Sequence, residues 1–251
     1  MTEAAPSRSA FRRLRVLNAV VGLVQLIQGV AILAISNNFA LPVTATYPTG
    51  PPGRNDPVLE NVFDFPLGPA VAVFLLLAAA DHLLVAAPRV AGWYEANLRQ
   101  QRNYARWIEY SISASLMAVL IASIVGITDI GAMLAIFAAN AAMILFGLLM
   151  EKHQSTEGTD WTAFWCGSIV GAVPWIAIGI YLFGSDGAPG FVYGIFASLL
   201  LLFFSFAVNM FLQYRRIGPW KDYLFGERAY IVLSLVAKSA LAWQVFANTL
   251  V

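Results

Sequence analysis

The stretch AYIVLSLVAKSALAWQVFANTLV, Ala229 to Val251, decides how this chain is read. As a helix it is long enough to cross a hydrocarbon layer of roughly 30 Å. Lys238 stands near its middle, and no acidic residue occurs within it. An ammonium at that depth is unfavourable by about 2.5–3.5 kcal/mol, so an ionisable group there points to function. Condensation with an aldehyde is one way out: the amine becomes a covalent tether, and its charge then needs a single buried carboxylate.

Outward from Lys238 the chain keeps the same character, with 59% hydrophobic and 12% charged residues over 251 positions. Apolar runs of about 20 residues predict seven spans: Leu14 to Ile35, Gly68 to Ala87, Arg106 to Ile127, Gly131 to Leu149, Trp161 to Phe183, Gly190 to Leu212 and Ala229 to Val251. The expected fold is an all-α membrane protein, a single seven-helix domain over residues 1–251, with no room for a soluble catalytic domain. Thirteen of the 15 Lys and Arg fall in segments on the N-terminal side of that layer: Arg8, Arg12, Arg13, Arg15, Arg89, Arg99, Arg102, Arg106, Lys152, Arg215, Arg216, Lys221 and Arg228. Arg54 alone falls on the other side, which predicts a cytoplasmic N-terminus and, after seven crossings, an extracellular C-terminus. The run after Arg15 lacks a small-residue cleavage site and is read as a retained first helix. The single Cys166 excludes an intramolecular disulfide. A net charge of +1 argues against a nucleic-acid partner, and the basic rim is explained by topology and anionic lipid. The first loop, residues 36–67, mixes six prolines with β-formers such as Val43, Thr44 and Tyr47. It is expected to form a hairpin-like cap that closes one end or contacts another subunit.

Ser234 lies four residues before Lys238 and shares its helix face. Two carboxylates lie inside apolar runs, Glu109 in the third span and Asp81 in the second. Glu109 is about 5 Å beyond Arg106 by helix rise and Lys238 about 15 Å beyond Arg228, a mismatch that a leaning lysine has to close. Glu109, with Ser113 one turn on, is the expected anion for Lys238; the alternative is an interfacial network with Arg102 or Arg106. Met143, Trp165, Trp175, Phe203, Phe206 and Trp243 fall within spans, where bulky side chains flank a long conjugated ligand or simply pack. Pro174 is expected to bend the fifth span. Gly167 with Gly171, and Gly190 with Gly194, have the spacing of close helix approach. His82, beside Asp81, either relays a proton or holds a structural hydrogen bond. His153 is read as a solvated loop residue.

Several long motifs resemble the heliorhodopsins. They are Gly226-Glu227-Arg228-Ala229-Tyr230 continuing through Lys238 to Gln244, Arg106-Trp107-Ile108-Glu109-Tyr110-Ser111, and Ala139-Asn140-Ala141-Ala142-Met143-Ile144-Leu145-Phe146-Gly147. Val173-Pro174-Trp175, Pro189-Gly190-Phe191-Val192-Tyr193-Gly194 and Phe39-Ala40-Leu41-Pro42 match as well. The resemblance covers essentially the whole chain and implies a rhodopsin-like bundle. It also implies all-trans retinal as a Schiff base on Lys238, Glu109 as counter-ion, Ser234 tuning the pair, and a homodimer. A polar cluster near the Schiff base, with a histidine on each of the first two helices in the family, reads here as Gln25 and His82. A serine expected one turn before His82 is Ala78, and an apolar neighbour is Asp81. Asn103 and Asn140 join His82, Asp81 and Gln25 as proton-network candidates. The family's inner polar network maps to Arg106, Glu151 and Glu227.

The expected function is a light-sensing photoreceptor of the plasma membrane, not an enzyme. Light would separate Lys238 from Glu109 in low dielectric, without ion pumping, and a cytoplasmic partner would read the change at Lys152, His153, Arg215, Arg216 and Lys221. Acids occur in the inner half (Asp81, Glu109), while Asp64, Asp129 and Asp186 lie at or beyond the outer edge. The alternative is a light-driven proton transporter or channel. A third reading is a lipid- or retinoid-binding protein or a light-modulated enzyme regulator.

Overall fold

The computed structural model describes residues 7–51, 53–154 and 158–250; Pro52 of the first loop and Val251, the expected end of the seventh span, lie outside the described residues. The described chain forms α1 (Arg8–Ile35), β1 (Ala40–Tyr47), β2 (Val58–Pro66), α2 (Leu67–Ala86), α3 (Pro88–Arg99), α4 (Tyr104–Ile124), α5 (Ile130–Lys152), α6 (Thr162–Gly184), α7 (Gly190–Tyr214) and α8 (Tyr223–Val245). Among the described residues, seven helices are long and apolar enough to cross a membrane, the last counted through Leu250. The chain is an integral, multi-pass membrane protein.

Local chemistry sets the helix ends and moves several away from the edges of the apolar runs. Ser7, Asn103, Asp129 and Asp222 each accept a backbone N–H of the first turn of α1, α4, α5 and α8. The first, third and seventh spans therefore start at Arg8, Tyr104 and Tyr223, several residues earlier than hydropathy places two of them. Pro88 ends α2, because the residue before a proline avoids helical dihedrals, and it opens α3 at the position where its missing N–H costs nothing. This extra helix, in the segment between the second and third expected spans, buries Ala91, Tyr94 and Leu98 on one face. At the end of α4, Gly126 takes φ 95°. Its N–H reaches Ser123 O and that of Ile127 reaches Ala122 O at 2.9 Å, a left-handed cap that turns the chain into α5. The seventh span leaves α-helical geometry after Val245 for a π-helical turn, Phe246–Leu250.

Around the bundle the neighbours run α1, α2, α4, α5, α6, α7, α8 and back to α1, and α4 also touches α6 and α7. α4 is thus the inner helix and the most buried of the seven spans. Glycines let neighbours close in. A Cβ on Gly147 would strike the Trp107 ring, and one on Gly171 would strike Met143 Sδ, so Gly167 and Gly171 serve the packing of α6 on α5. Gly190 and Gly194 have no atom near a would-be Cβ. Outward faces carry Leu23, Ile27, Ile169, Ile176, Leu201 and Phe204, all exposed, as lipid-facing surfaces must.

β1 and β2 pair antiparallel as a hairpin-like unit with an irregularity at Val43/Thr44. Thr44 N–H donates to Thr128 O at 2.8 Å, and its hydroxyl meets Thr128 Oγ1 at 3.0 Å. β1 therefore lies on the α4–α5 turn with Val43, Thr44 and Ala45 buried, while β2 faces outward. Beneath the hairpin a continuous apolar core fills that half of the bundle, including Val71, Phe74, Met117, Leu120, Ile121, Leu241 and Val245.

Candidate functional site

Lys238 on α8 is 2% exposed and Glu109 on α4 is 8% exposed. Lys238 Nζ donates to Glu109 Oε1 at 2.9 Å and Oε2 at 3.0 Å, and to Ser234 Oγ at 3.1 Å. It also sits 4.9 Å from the centroid of the Tyr110 ring. Both carboxylate oxygens thus face one ammonium in a closed interior, where charges persist only when paired.

The depth mismatch closes through side-chain lean. Tyr110 donates its hydroxyl to Tyr230 O at 3.0 Å, which ties the level of Tyr110 on α4 to that of Tyr230 on α8. Tyr230 is about 12 Å of helix rise before Lys238. Helical side chains lean toward the N-terminus of their own helix. Lys238 reaches back along α8, and Tyr110 reaches past Glu109 in the same direction.

Aromatic side chains pack on the α5–α7 side of the bundle, and one of them, Phe206, meets the Tyr110 ring that faces Lys238. The Phe206 ring meets Tyr110 edge-on at 5.6 Å, and the Trp175 ring meets Phe203 edge-on at 5.2 Å. Met143 packs against Gly171. Ser113 Oγ, one turn beyond Glu109, is fully buried and has no hydrogen-bond partner among the described residues. Two aromatic expectations fail: Trp165 is 60% exposed and Trp243 40% exposed. Trp165 packs on Phe164 at the lipid-facing surface, and Trp243 turns to α1, its indole donating to Gln28. An aromatic residue within a span faces lipid as readily as the interior, and the apolar runs carry no mark of which.

Toward the N-terminal end of the bundle lies a second polar layer. Arg106 binds Glu151 on α5 through one nitrogen and Glu227 on α8 through another. Its guanidinium lies 3.9 Å from the Tyr230 ring centroid and 4.5 Å from that of Trp107. Asn103 caps α4, gives its backbone N–H to Glu151 at 2.8 Å, and uses its amide on Glu227 and on Tyr94 OH of α3. Arg106 thus pairs with Glu151 and Glu227 in this layer, while Glu109 pairs with Lys238.

The proton-network candidates separate. His82 Nδ1 meets Asn18 Oδ1 on α1 at 2.7 Å. Gln25, two turns beyond Asn18, is wholly buried, and neither of its amide atoms is hydrogen-bonded among the described residues. Asp81 is half-buried and lines a small cavity with Asn18, His82, Tyr94, Tyr110 and Glu227. Asn140 corrects the expectation: it donates to Ser115 across α5 and α4, and among the described residues no hydrogen bond joins it to the Lys238 or Arg106 groups. Asn18, Tyr94, Tyr110 and Tyr230 were missed by sequence reasoning. Asn18 was findable, as a polar residue within an apolar run on the same face as Gln25. A larger cavity of about 240 Å³ lies apart, at the α5–α6 turn beside His153 and Cys166.

This donor set suits an aldehyde cofactor. It offers a primary amine at mid-bundle, one dedicated carboxylate, a neighbouring hydroxyl at Ser234, and unpaired buried polar atoms at Ser113 and Gln25.

A family model described as Heliorhodopsin matches residues 14–250. Among curated proteins none matches. Among solved structures, the chain is similar to a light-driven proton pump, LR (Mac), from Leptosphaeria maculans. The identity is 17%, with 97% of this chain and 96% of that chain covered and a TM-score of 0.61. It is also similar to a cyanorhodopsin from a Tolypothrix cyanobacterium, at 11% identity, with 97% and 96% coverage and a TM-score of 0.63. At these identities the likeness shows the rhodopsin-like fold.

Proposed function

Because the chain belongs to the heliorhodopsin family, we propose that it is a light-sensing photoreceptor that holds all-trans retinal as a Schiff base on Lys238 and signals without pumping ions. The observation that carries this reading is Lys238 Nζ set between both oxygens of Glu109 and the Ser234 hydroxyl in a closed interior. Retinal supplies an aldehyde for the amine and a conjugated chain that isomerises in light. Glu109 balances the positive charge at Nζ, Ser234 orients the pair, and Ser113, Met143, Trp175, Phe203 and Phe206 line the interior around it.

Movement of Nζ away from Glu109 separates opposite charges in low dielectric, which stores energy in the protein. Tyr110 touches Nζ and is bonded to the backbone of α8, which joins the pair to the Arg106 layer through Tyr230. On the proposed topology, N-terminus inside the plasma membrane, that layer lies above the loop after α7, where Trp220 anchors to Asn209 at 2.6 Å. This loop, with Arg215, Arg216 and Lys221, and the turn at Lys152 form the face offered to a cytoplasmic partner. A homodimer in the bilayer fits the family.

The carboxylates favour sensing over transport. Asp81, Glu109, Glu151 and Glu227 all lie from Lys238 toward the N-terminal end, and apolar side chains fill the half beneath the hairpin. A pump needs a wettable path on both sides of the nitrogen. Illuminating a suspension of cells that carry the retinal-loaded protein should therefore give no sustained pH change. A sustained change abolished by a protonophore would overturn the sensor in favour of a proton transporter or channel.

A further inference from the structure

Four carboxylates face the half of the interior between Lys238 and the N-terminal end of the bundle. Glu109 faces Lys238, and Glu151 and Glu227 face Arg106. Asp81 is left over. It makes no hydrogen bond or ion pair among the described residues, although it stands within electrostatic reach of Glu109, Lys238 and Arg106. Its neighbour His82 is already engaged with Asn18, whose amide in turn donates to Leu14 O at 3.1 Å. Gln25 has no group that titrates.

The cavity that Asp81 lines has a volume of about 10 Å³, roughly the space that one water needs by the same measure. Its wall is polar, with Asn18, His82 and Arg106 among its members, and it includes Tyr110, against whose ring Lys238 Nζ lies. One water there would have the several polar partners that buried water requires. An unpaired carboxylate, a water-sized polar space and a wall shared with the lysine therefore coincide on one side of the Lys238–Glu109 pair.

We infer that Asp81 is the acceptor of the proton that Lys238 Nζ gives up in light, delivered through a water in this cavity. This rests on the function proposed above. The N–H bond at Nζ breaks and its electron pair stays on nitrogen. The water takes that proton and passes one of its own to an Asp81 carboxylate oxygen, where an O–H bond forms. Glu109 remains ionised, and the proton stays inside the protein. Asp81 is open to this proton because, among the described residues, no donor engages its carboxylate, and a carboxylate without a donor away from bulk water is costly to leave bare.

Light-minus-dark infrared spectra of the retinal-loaded full chain test this, taken once the visible spectrum shows that the nitrogen has lost its proton. The expected result is a protonated-carboxyl C=O band that shifts when aspartate is labelled with heavy carbon. The band should be absent in Asp81→Asn, and in Asp81→Glu it should be replaced by one that aspartate labelling leaves unmoved. Persistence of the label-sensitive band in Asp81→Asn, or a wild-type band that ignores the label, would overturn the inference and leave the photoreceptor reading standing. No visible absorbance in the wild type with retinal would instead overturn that reading and this inference with it.

Discussion

Arg106→Met is expected to destabilise the protein by about 3–5 kcal/mol, the usual result of removing one partner from a buried ion pair. The loss has two parts. Glu151 and Glu227, 6% and 1% exposed, are left as unpaired acids facing each other. The stacking of the guanidinium between Tyr230 and Trp107 is lost as well, and cation–π contacts in dry surroundings contribute about 2 kcal/mol. The measurement is the fraction of folded protein that survives a heating series in detergent, followed by circular dichroism. Adding Glu151→Gln and Glu227→Gln to Arg106→Met should recover part of the loss, because neutral amides no longer need the cation. A single variant as heat-resistant as the wild type would show that the layer does not hold the N-terminal end together.

The second large effect is optical. Replacing Glu109 by Gln keeps one oxygen that can accept from Lys238 Nζ, beside Ser234, but removes the negative charge that faces it. At the observed separation of 2.9 Å, the Coulomb attraction removed is roughly 5–6 kcal/mol at an effective dielectric near 20. A nearby anion stabilises a charge localised at Nζ more than the delocalised charge of an excited polyene, so its removal narrows the gap. The retinal-loaded Glu109→Gln protein is expected to absorb far to the red of the wild type or to lose its visible band. A spectrum that does not move would transfer the counter-ion role to Asp81.

The seven crossings were legible because each apolar run is both long enough and free enough of charge to admit one reading. Lys238 and Glu109 stood out for the same reason, as ionisable groups that hydrocarbon does not tolerate without a purpose. Depth was harder to read. Counting along the helices set Glu109 and Lys238 far apart, and counting from the caps at Asn103 and Asp222 widens that gap; backbone position alone does not show that the lysine side chain leans back along its axis to meet the carboxylate. α3 escaped because its polar outer face lowers its hydropathy, although Pro88 marks its first residue. Trp165 and Trp243 were misplaced since hydropathy has no direction within a membrane: lipid and protein interior reward the same side chain. Asn140 was placed with the proton network by type, and its partner Ser115 lies on a different face of α4 from Glu109.

The central claim is that Lys238 carries the chromophore. Its most direct test is the visible spectrum of protein expressed with all-trans retinal, wild type beside Lys238→Ala. A visible band in the wild type that vanishes in Lys238→Ala, with the helical content of the variant unchanged, is the predicted result. A band that survives the loss of Lys238 would contradict it.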